Sequence, residues 1–460
     1  MAESPQGPTA IYPIHDYLAS DPRYPFNLQS EWLPHAGSPA MRAFFEQVLA
    51  ADKKPWAKSV QELNAYIDQN EIIQYLVESA CRENLNMIEA HQGQQVGVPR
   101  IEDKDALLNG FNELLSHPPR FVNNELVGVP FSAWVVGIDP TFSGATLFRL
   151  PMFNEKMSAI LNEWYEFLET PASDIGFRVE GEQWLSPAAK KQYDFRIWKK
   201  DSPELPYWKS WNSFFTRQFE NPEKERPIAH PETNRIVNSP NDGSLFRWQP
   251  DASKRDVFWF KDMRYSIADI LSSPIPEQQA VIDSYGLVDL FDGGYVFQTY
   301  LNPYNFHRWW CPANGEVLFD PLAIPGAFFS KLVIPDFGGA STASLPYLAE
   351  VNARGVIVFK TEDYGHVCCI PLGMSEISTI TFDLKMKKGA TVTKGQEMGT
   401  FNYGGSSFAI IYQNLPGKRL FFINADGKPY DQTPVLPQGS ASAGGEVTLI
   451  GSQIGVWVDI

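Results

Sequence analysis

The chain has few cysteines and no long apolar run, and each lack excludes a class of protein. Among 460 residues there are four cysteines, Cys81, Cys311, Cys368 and Cys369, too few and too irregularly spaced for a disulfide framework or a zinc site. No stretch approaches the roughly 20 consecutive apolar residues that span a bilayer, and the first residues lack the layout of a signal peptide. These absences predict a soluble, cytoplasmic protein with reduced thiols and no membrane span.

Basic charge and histidine are also scarce. Lys and Arg together number 38 against 54 Asp and Glu, which gives a formal net charge of -16. Because such a field repels phosphate groups, we expect no nucleic-acid partner. The seven histidines are scattered, and no two have ligand spacing with a carboxylate nearby, so we expect no metal site.

The residues that are present form two different sequence patterns along the chain. Over residues 40–86 apolar residues recur at every third and fourth position, which is typical of amphipathic helices. After Pro203 the chain consists of short β-branched or aromatic runs separated by Gly, Pro, Asn and Asp, which is typical of strands. We therefore predict an α+β protein with a helical N-terminal domain over residues 1–200 and a β-rich domain over 201–460.

The segment KGQEMGTFNYGGSSFAIIYQ contains the feature with the most chemical interest. Gly404 and Gly405 can adopt the backbone conformations of a tight turn, and the apolar run after Ser406 and Ser407 predicts a buried strand. Taken alone, this pattern is typical of an ordinary hairpin. It lacks the Gly-x-Ser-x-Gly spacing of a nucleophile elbow, so a serine hydrolase is not favoured.

Between about residues 208 and 410 the chain contains, in order, the segments SWNSFFTRQF with ERPI, NSPNDG, FKDMRYSIADIL, LNPYNFHRWWCPANG, IPGAFFS, NARGVIVF and KGQEMGTFNYGGSS. These seven segments resemble, in the same order, the motifs of the phosphatidylserine decarboxylase family. The helical N-terminal region and the stretch PLGMSEIST are similar to the fungal L-tryptophan decarboxylase branch of that family.

The resemblance implies a decarboxylase, a carboxy-lyase that makes its own cofactor by cutting its backbone between Gly405 and Ser406. The Ser406 hydroxyl would attack the Gly405 carbonyl, and Ser406 would become a covalent pyruvoyl group. In the family pattern Asp242 occupies a catalytic position, and His307 returns a proton to the α carbon of the product.

The implied substrate is a small amine or amino acid, with an aromatic amino acid favoured. The residues next to the histidine motif and the processing site are expected to line its pocket. We assign substrate contacts to Phe306, Trp309, Trp310 and Ser407.

The sequence departs from the family pattern at Trp310, where a second histidine normally activates the serine. An indole has one N–H donor and no basic nitrogen, so it cannot take the Ser406 proton. Two hypotheses stay open. Cleavage can proceed slowly or with Asp242 or His366 as a substitute base, because some catalysis survives the loss of a triad member. Alternatively the chain stays uncut, and the fold serves pyruvoyl-free chemistry on a small molecule or acts as a binding protein.

Overall fold

A computed structural model describes residues 33–34, 38–90, 98–122, 125–255, 266–329, 351–374, 376, 379–403, 406–430 and 446–460. Gly404 and Gly405 lie outside these residues. The same is true of residues 256–265, which include the first half of the motif FKDMRYSIADIL. The expected role of Gly405 therefore remains a prediction.

Helices dominate the chain up to residue 225. Two of them begin at a serine followed by proline: the Ser38 side chain accepts the amide of Met41 at 3.1 Å, and Ser186 accepts that of Ala189 at 3.2 Å. These residues cap the orphan amide groups of a first turn. The helices of this part are α1 (Pro39–Leu49), α2 (Lys58–Asp68), α3 (Glu71–Ala90), α4 (Lys104–Leu114), α5 (Pro130–Val135), α6 (Phe142–Leu147), α7 (Pro151–Glu169), α8 (Pro187–Gln192), α9 (Trp211–Phe215) and α10 (Pro222–Glu225).

Three short helices lie within the strand-rich part: α11 (Ile267–Ile270), α12 (Pro276–Ser284) and α13 (Leu287–Leu290). The strands are β1 (Arg120–Val122), β2 (Glu125–Val127), β3 (Ile236–Asn238), β4 (Gly243–Ala252), β5 (Gly294–Leu301), β6 (Arg308–Trp310), β7 (Gly315–Val317), β8 (Leu322–Ile324), β9 (Arg354–Lys360), β10 (His366–Gly373), β11 (Ile380–Phe382), β12 (Thr391–Val392), β13 (Glu397–Phe401), β14 (Ser406–Tyr412), β15 (Lys418–Phe422), β16 (Val447–Thr448) and β17 (Gln453–Asp459).

The main sheet has nine strands, in the order β12, β7, β9, β10, β14, β5, β4 and β16, with β8 also paired to β9. Its central strand, β14, is antiparallel to both neighbours and buried along its whole length. Two three-stranded sheets have the orders β11-β13-β6 and β15-β17-β3, and β1 and β2 form a two-stranded sheet. The strand predicted after Ser406 is thus the middle of the largest sheet.

The two faces of β14 contribute to different hydrophobic cores. Phe408 and Ile410 belong to the larger core, which continues into the helical region through residues such as Trp164. Ala409 and Ile411 belong to a second core that includes α11 and α13. Because strand side chains alternate between faces, an uninterrupted apolar run is what a strand covered on both sides requires.

The mixture of helices and multi-stranded sheets confirms the α+β prediction. Within the described ranges, no helix has the length and apolar character needed to cross a membrane.

Candidate active site

Ser406 is the first residue of β14 and lies directly opposite Gly373 of β10 and Leu301 of β5. Its side chain is fully buried, and its Oγ makes no hydrogen bond with any described residue. Leaving a buried hydroxyl without a partner typically costs about 1–3 kcal/mol. Such a group in a folded protein calls for a functional or structural reason.

Ser407 differs sharply from its neighbour because its hydroxyl is fully engaged. It donates to the carbonyl oxygen of Thr299 at 2.7 Å and accepts from Nε2 of Gln298 at 2.8 Å. Both partners are on β5, so Ser407 fixes the start of β14 to the neighbouring strand. Its assignment to the substrate pocket remains a prediction.

Asp242 forms a buried, bidentate ion pair with Arg226. The guanidinium donates from Nε to Oδ1 at 2.9 Å and from Nη2 to Oδ2 at 2.6 Å, and the amide of Ile450 also donates to Oδ1 at 2.8 Å. The fork of the guanidinium matches the carboxylate, which makes this one of the stronger kinds of hydrogen-bonded pair. An aspartate that would orient a histidine in the family pattern here binds an arginine.

Trp310 lies next to the loop that carries Asp242. Its amide donates to the carbonyl oxygen of Pro240 at 2.8 Å, and its ring packs edge-on against Phe219 and Phe306, with centroids 6.3 and 6.0 Å away. Position 310 is therefore close to the aspartate, as a triad histidine would be. Its side chain packs against aromatic rings and offers no base.

Phe306 and Trp309 are both packed into the core. The Phe306 ring lies 4.4 Å from that of Phe219, and the fully buried Trp309 ring contacts Phe401 at 5.5 Å and Phe408 at 6.0 Å. Ser406 and Phe408 are two residues apart on β14, so their side chains lie on the same face of the strand. The contact with Phe408 therefore places Trp309 on the face that carries Ser406.

His307 is completely buried, and its ring stacks on Phe215 with the centroids 4.0 Å apart. Burial holds the pKa of this imidazole well below its ordinary value, the charge of Arg217 adds to that effect, and a hydrogen bond with the backbone of Asn305 opposes it. The carbonyl oxygen of His307 accepts the amide of Phe401 at 2.9 Å. The ring is therefore neutral at physiological pH and held close to the strand that leads towards Ser406.

Arg217 supports the loop that precedes His307, a role that the motifs do not indicate. Its buried guanidinium donates to the carbonyl oxygens of Tyr304 and Asn305 at 2.6 and 3.0 Å and lies 4.3 Å from the Trp198 ring. Burial lowers its pKa to about 9. Arg217 is part of the segment SWNSFFTRQF, whose resemblance to the family motif marks the position but does not indicate its contacts.

Glu376 and Tyr403 are two further buried residues that sequence reasoning missed. A carboxylate oxygen of Glu376 accepts the backbone amide of Phe131. The Tyr403 ring lies 5.0 Å from that of Trp164 and 5.1 Å from that of Phe215. Burial, and then the charge of Glu376, raise the pKa of the Tyr403 hydroxyl well above its ordinary value. The only signal was an isolated glutamate within PLGMSEIST.

His366 lies far from this group. It begins β10, whereas Gly373, the residue opposite Ser406, ends it, so about 23 Å of extended strand separate the two positions. Its Nδ1 is 2.9 Å from Oε1 of Gln413. His366 cannot reach Ser406. Among the described residues, no group of three or more His, Cys, Asp or Glu side chains could hold a metal ion.

Comparison with known proteins identifies related decarboxylases. A model described as phosphatidylserine decarboxylase matches residues 211–428, and a second model with that description matches residues 57–193. The chain is 29% identical to the decarboxylase iboD of Amanita muscaria over 311 residues, which are 62% of this chain and 84% of that protein.

Two other relatives represent the breadth of the similarity. The L-tryptophan decarboxylase of Psilocybe cubensis is 25% identical over 380 residues, covering 76% of this chain and 79% of that protein. The phosphatidylserine decarboxylase proenzyme of Pectobacterium atrosepticum is 25% identical over 281 residues, covering 54% and 76% respectively.

An α+β fold with a buried serine at the start of its central strand, and with named decarboxylases as relatives, defines an enzyme of the carboxy-lyase class. The chain belongs to the phosphatidylserine decarboxylase family, near its fungal branch. The resemblance seen in the motifs is confirmed.

Proposed function

We propose that the chain is a pyruvoyl-dependent amino-acid decarboxylase that forms its cofactor by self-cleavage at the Gly405–Ser406 bond. The observation that carries this proposal is the buried Ser406 hydroxyl, which has no hydrogen-bond partner among the described residues. A hydroxyl left unengaged at the start of the central strand suits a nucleophile better than a structural serine, as the contrast with Ser407 illustrates.

The residues around Ser406 fit a pyruvoyl group at that position. The strand that follows is paired along its whole length with β10 and β5, and Ser407 is bound to Thr299 and Gln298. A new chain end at 406 would therefore stay in place after cleavage. When formed, a pyruvoyl group supplies an electrophilic carbonyl and an electron sink for decarboxylation.

His307 is the residue best suited to move protons during turnover. Burial holds its pKa low, which makes the protonated ring a stronger acid than an ordinary imidazolium. Once protonated, the ring is therefore suited to deliver a proton to the α carbon of the product. Phe215, stacked on the ring, keeps its orientation fixed.

A free amino acid is the proposed substrate, and the fungal relatives named L-tryptophan decarboxylase favour an aromatic one.

A second candidate function is that of an uncut family member, which performs pyruvoyl-free chemistry or binds a small molecule. Two observations favour it: Trp310 stands at the position of the base, and Asp242 is bound by Arg226. Both remove the usual means of activating the serine.

Intact mass separates the two functions. Two fragments divided at Ser406 support the decarboxylase, whereas a single species near 51.9 kDa contradicts it. Release of CO2 from a panel of free amino acids then identifies the substrate. Ser406→Ala should abolish both cleavage and CO2 release, and Ser284→Ala, an exposed position on α12, should change neither.

A further inference from the structure

Self-cleavage requires a group that takes the proton of the serine hydroxyl, because serine is a weak nucleophile at neutral pH. Trp310 has no basic nitrogen. Both Asp242 oxygens are bound by Arg226, and His366 lies at the far end of β10. None of the substitutes considered from the sequence is therefore well placed.

The sheet register places another carboxylate close to the start of β14. Gly373 of β10 is directly opposite Ser406 of β14 in an antiparallel register. The next strand after β10, β11, is likewise antiparallel to the strand before β14, β13. Glu376 is three residues beyond Gly373, and Tyr403 is three residues before Ser406, so both residues lie between these two paired regions.

Contacts with the helical region agree with this placement. The Glu376 carboxylate accepts the amide of Phe131, the Phe131 ring lies 5.0 Å from that of Trp164, and the Trp164 ring lies 5.0 Å from that of Tyr403. The raised pKa of Tyr403, to which Glu376 contributes, is a further sign that the two side chains are close. Glu376 is only 3% exposed, and a carboxylate buried beside a reactive group is a candidate for acid–base chemistry.

We propose that Glu376 is the proton acceptor for self-cleavage, an inference that rests on the proposed function. Glu376 takes the Oγ proton of Ser406, directly or through one water, while Oγ forms a bond to the Gly405 carbonyl carbon. The bond between that carbon and the Ser406 nitrogen breaks, and the nitrogen receives the proton from Glu376, leaving an ester.

The remaining steps need neither an oxidant nor a reductant. Loss of the Ser406 α proton breaks the ester C–O bond, which releases Gly405 as a carboxylate and leaves a dehydroalanine at 406. This group tautomerises to an imine, and one water hydrolyses the imine to the ketone while one ammonia leaves.

The test is the rate of cleavage in freshly purified protein, followed by intact mass. Glu376→Gln keeps an oxygen that can accept the Phe131 amide but removes the base, so cleavage should slow about 100-fold or more, while the thermal unfolding temperature stays close to that of the wild type. Glu277→Gln, at an exposed position on α12, should cleave at the wild-type rate.

The outcomes distinguish this inference from the proposed function. Wild-type protein that is cut, together with Glu376→Gln protein cut at the same rate, overturns the role of Glu376 and leaves the decarboxylase intact. Wild-type protein that stays whole overturns the decarboxylase itself. If Glu376→Gln fails to fold, Glu376→Asp is the deciding variant. Its side chain is shorter by one methylene group, which moves the carboxylate away and should slow cleavage at least about 10-fold. An unchanged cleavage rate contradicts the proposal.

Discussion

Arg226 binds both carboxylate oxygens of Asp242, with the closest contact, Nη2 to Oδ2, at 2.6 Å. The pair is nearly dry, since the two side chains are 12% and 4% exposed. Arg226 also lies over the ring of Phe219, with its guanidinium carbon 4.7 Å from the ring centroid. The aspartate of the family motif is thus part of a structural ion pair, and this explains why it is a poor substitute base.

Removal of Arg226 should be strongly destabilising. Arg226→Gln would leave Asp242 buried without its countercharge, which typically costs about 3–5 kcal/mol of unfolding free energy. Arg196→Gln is the control, because the ion pair of Arg196 with Asp194 is exposed and should contribute almost nothing. Denaturant unfolding measures the unfolding free energy of both variants. If both lose the same small amount of it, the buried pair stabilises the fold no more than the exposed one.

Restoring the family's base should accelerate cleavage. Trp310→His would place an imidazole beside the Asp242 loop, to which position 310 is joined through the carbonyl of Pro240. We expect self-cleavage to become about 10-fold faster or more. Trp310→Phe, which removes the indole and adds no base, should leave the rate near that of the wild type. If the histidine variant is no faster than the phenylalanine variant, the missing base does not limit cleavage.

The two adjacent serines should respond differently to removal of the hydroxyl. In an uncut Ser406→Ala background, adding Ser407→Ala leaves the Gln298 amide without its partner and should cost about 1–3 kcal/mol of unfolding free energy. With Ser406 intact, Ser407→Ala should still permit cleavage, because the Ser407 hydroxyl is bound to Thr299 and Gln298 rather than directed at the scissile bond. Chemical denaturation and intact mass provide the two readouts, and a stability unaffected by the second alanine would argue against the buried network.

Acid should destabilise the fold through His307. Its pKa is lowered in the folded protein, so below about pH 6.5 the unfolded chain binds a proton that the folded chain does not, and stability falls as the pH decreases. The expected slope is about 1.4 kcal/mol per pH unit, until the pH reaches the folded pKa. His307→Gln should lose this contribution, so the difference in unfolding free energy between wild type and variant should change between pH 7 and pH 5.5. A constant difference would mean that the folded and unfolded chains bind the His307 proton equally, so that folding does not lower the pKa of the ring.

Much of the architecture could be predicted from local patterns. The periodicity of residues 40–86 matches the helices found there, and the apolar run after Ser407 matches a strand buried on both faces. Both patterns depend only on neighbours along the chain and on the period of one element.

The partners of the candidate site residues could not be predicted in the same way. Nothing in NSPNDG indicates that Asp242 binds Arg226 rather than a base. That contact depends on how the chain after α10, which carries Arg226, folds against the turn before β4, which carries Asp242. The approach of Glu376 to Tyr403 depends on the register in which Gly373 meets Ser406, and strand register is set by packing over distant parts of the chain. The motifs identify most of the candidate site residues, whereas the contacts between them become visible only in the folded structure.

Cleavage of the Gly405–Ser406 bond is tested most directly by the intact mass of the unmodified protein. We expect two fragments, the smaller one beginning at residue 406 with a blocked, pyruvoyl-bearing end that resists N-terminal sequencing. A single chain near 51.9 kDa that persists after prolonged incubation would contradict it.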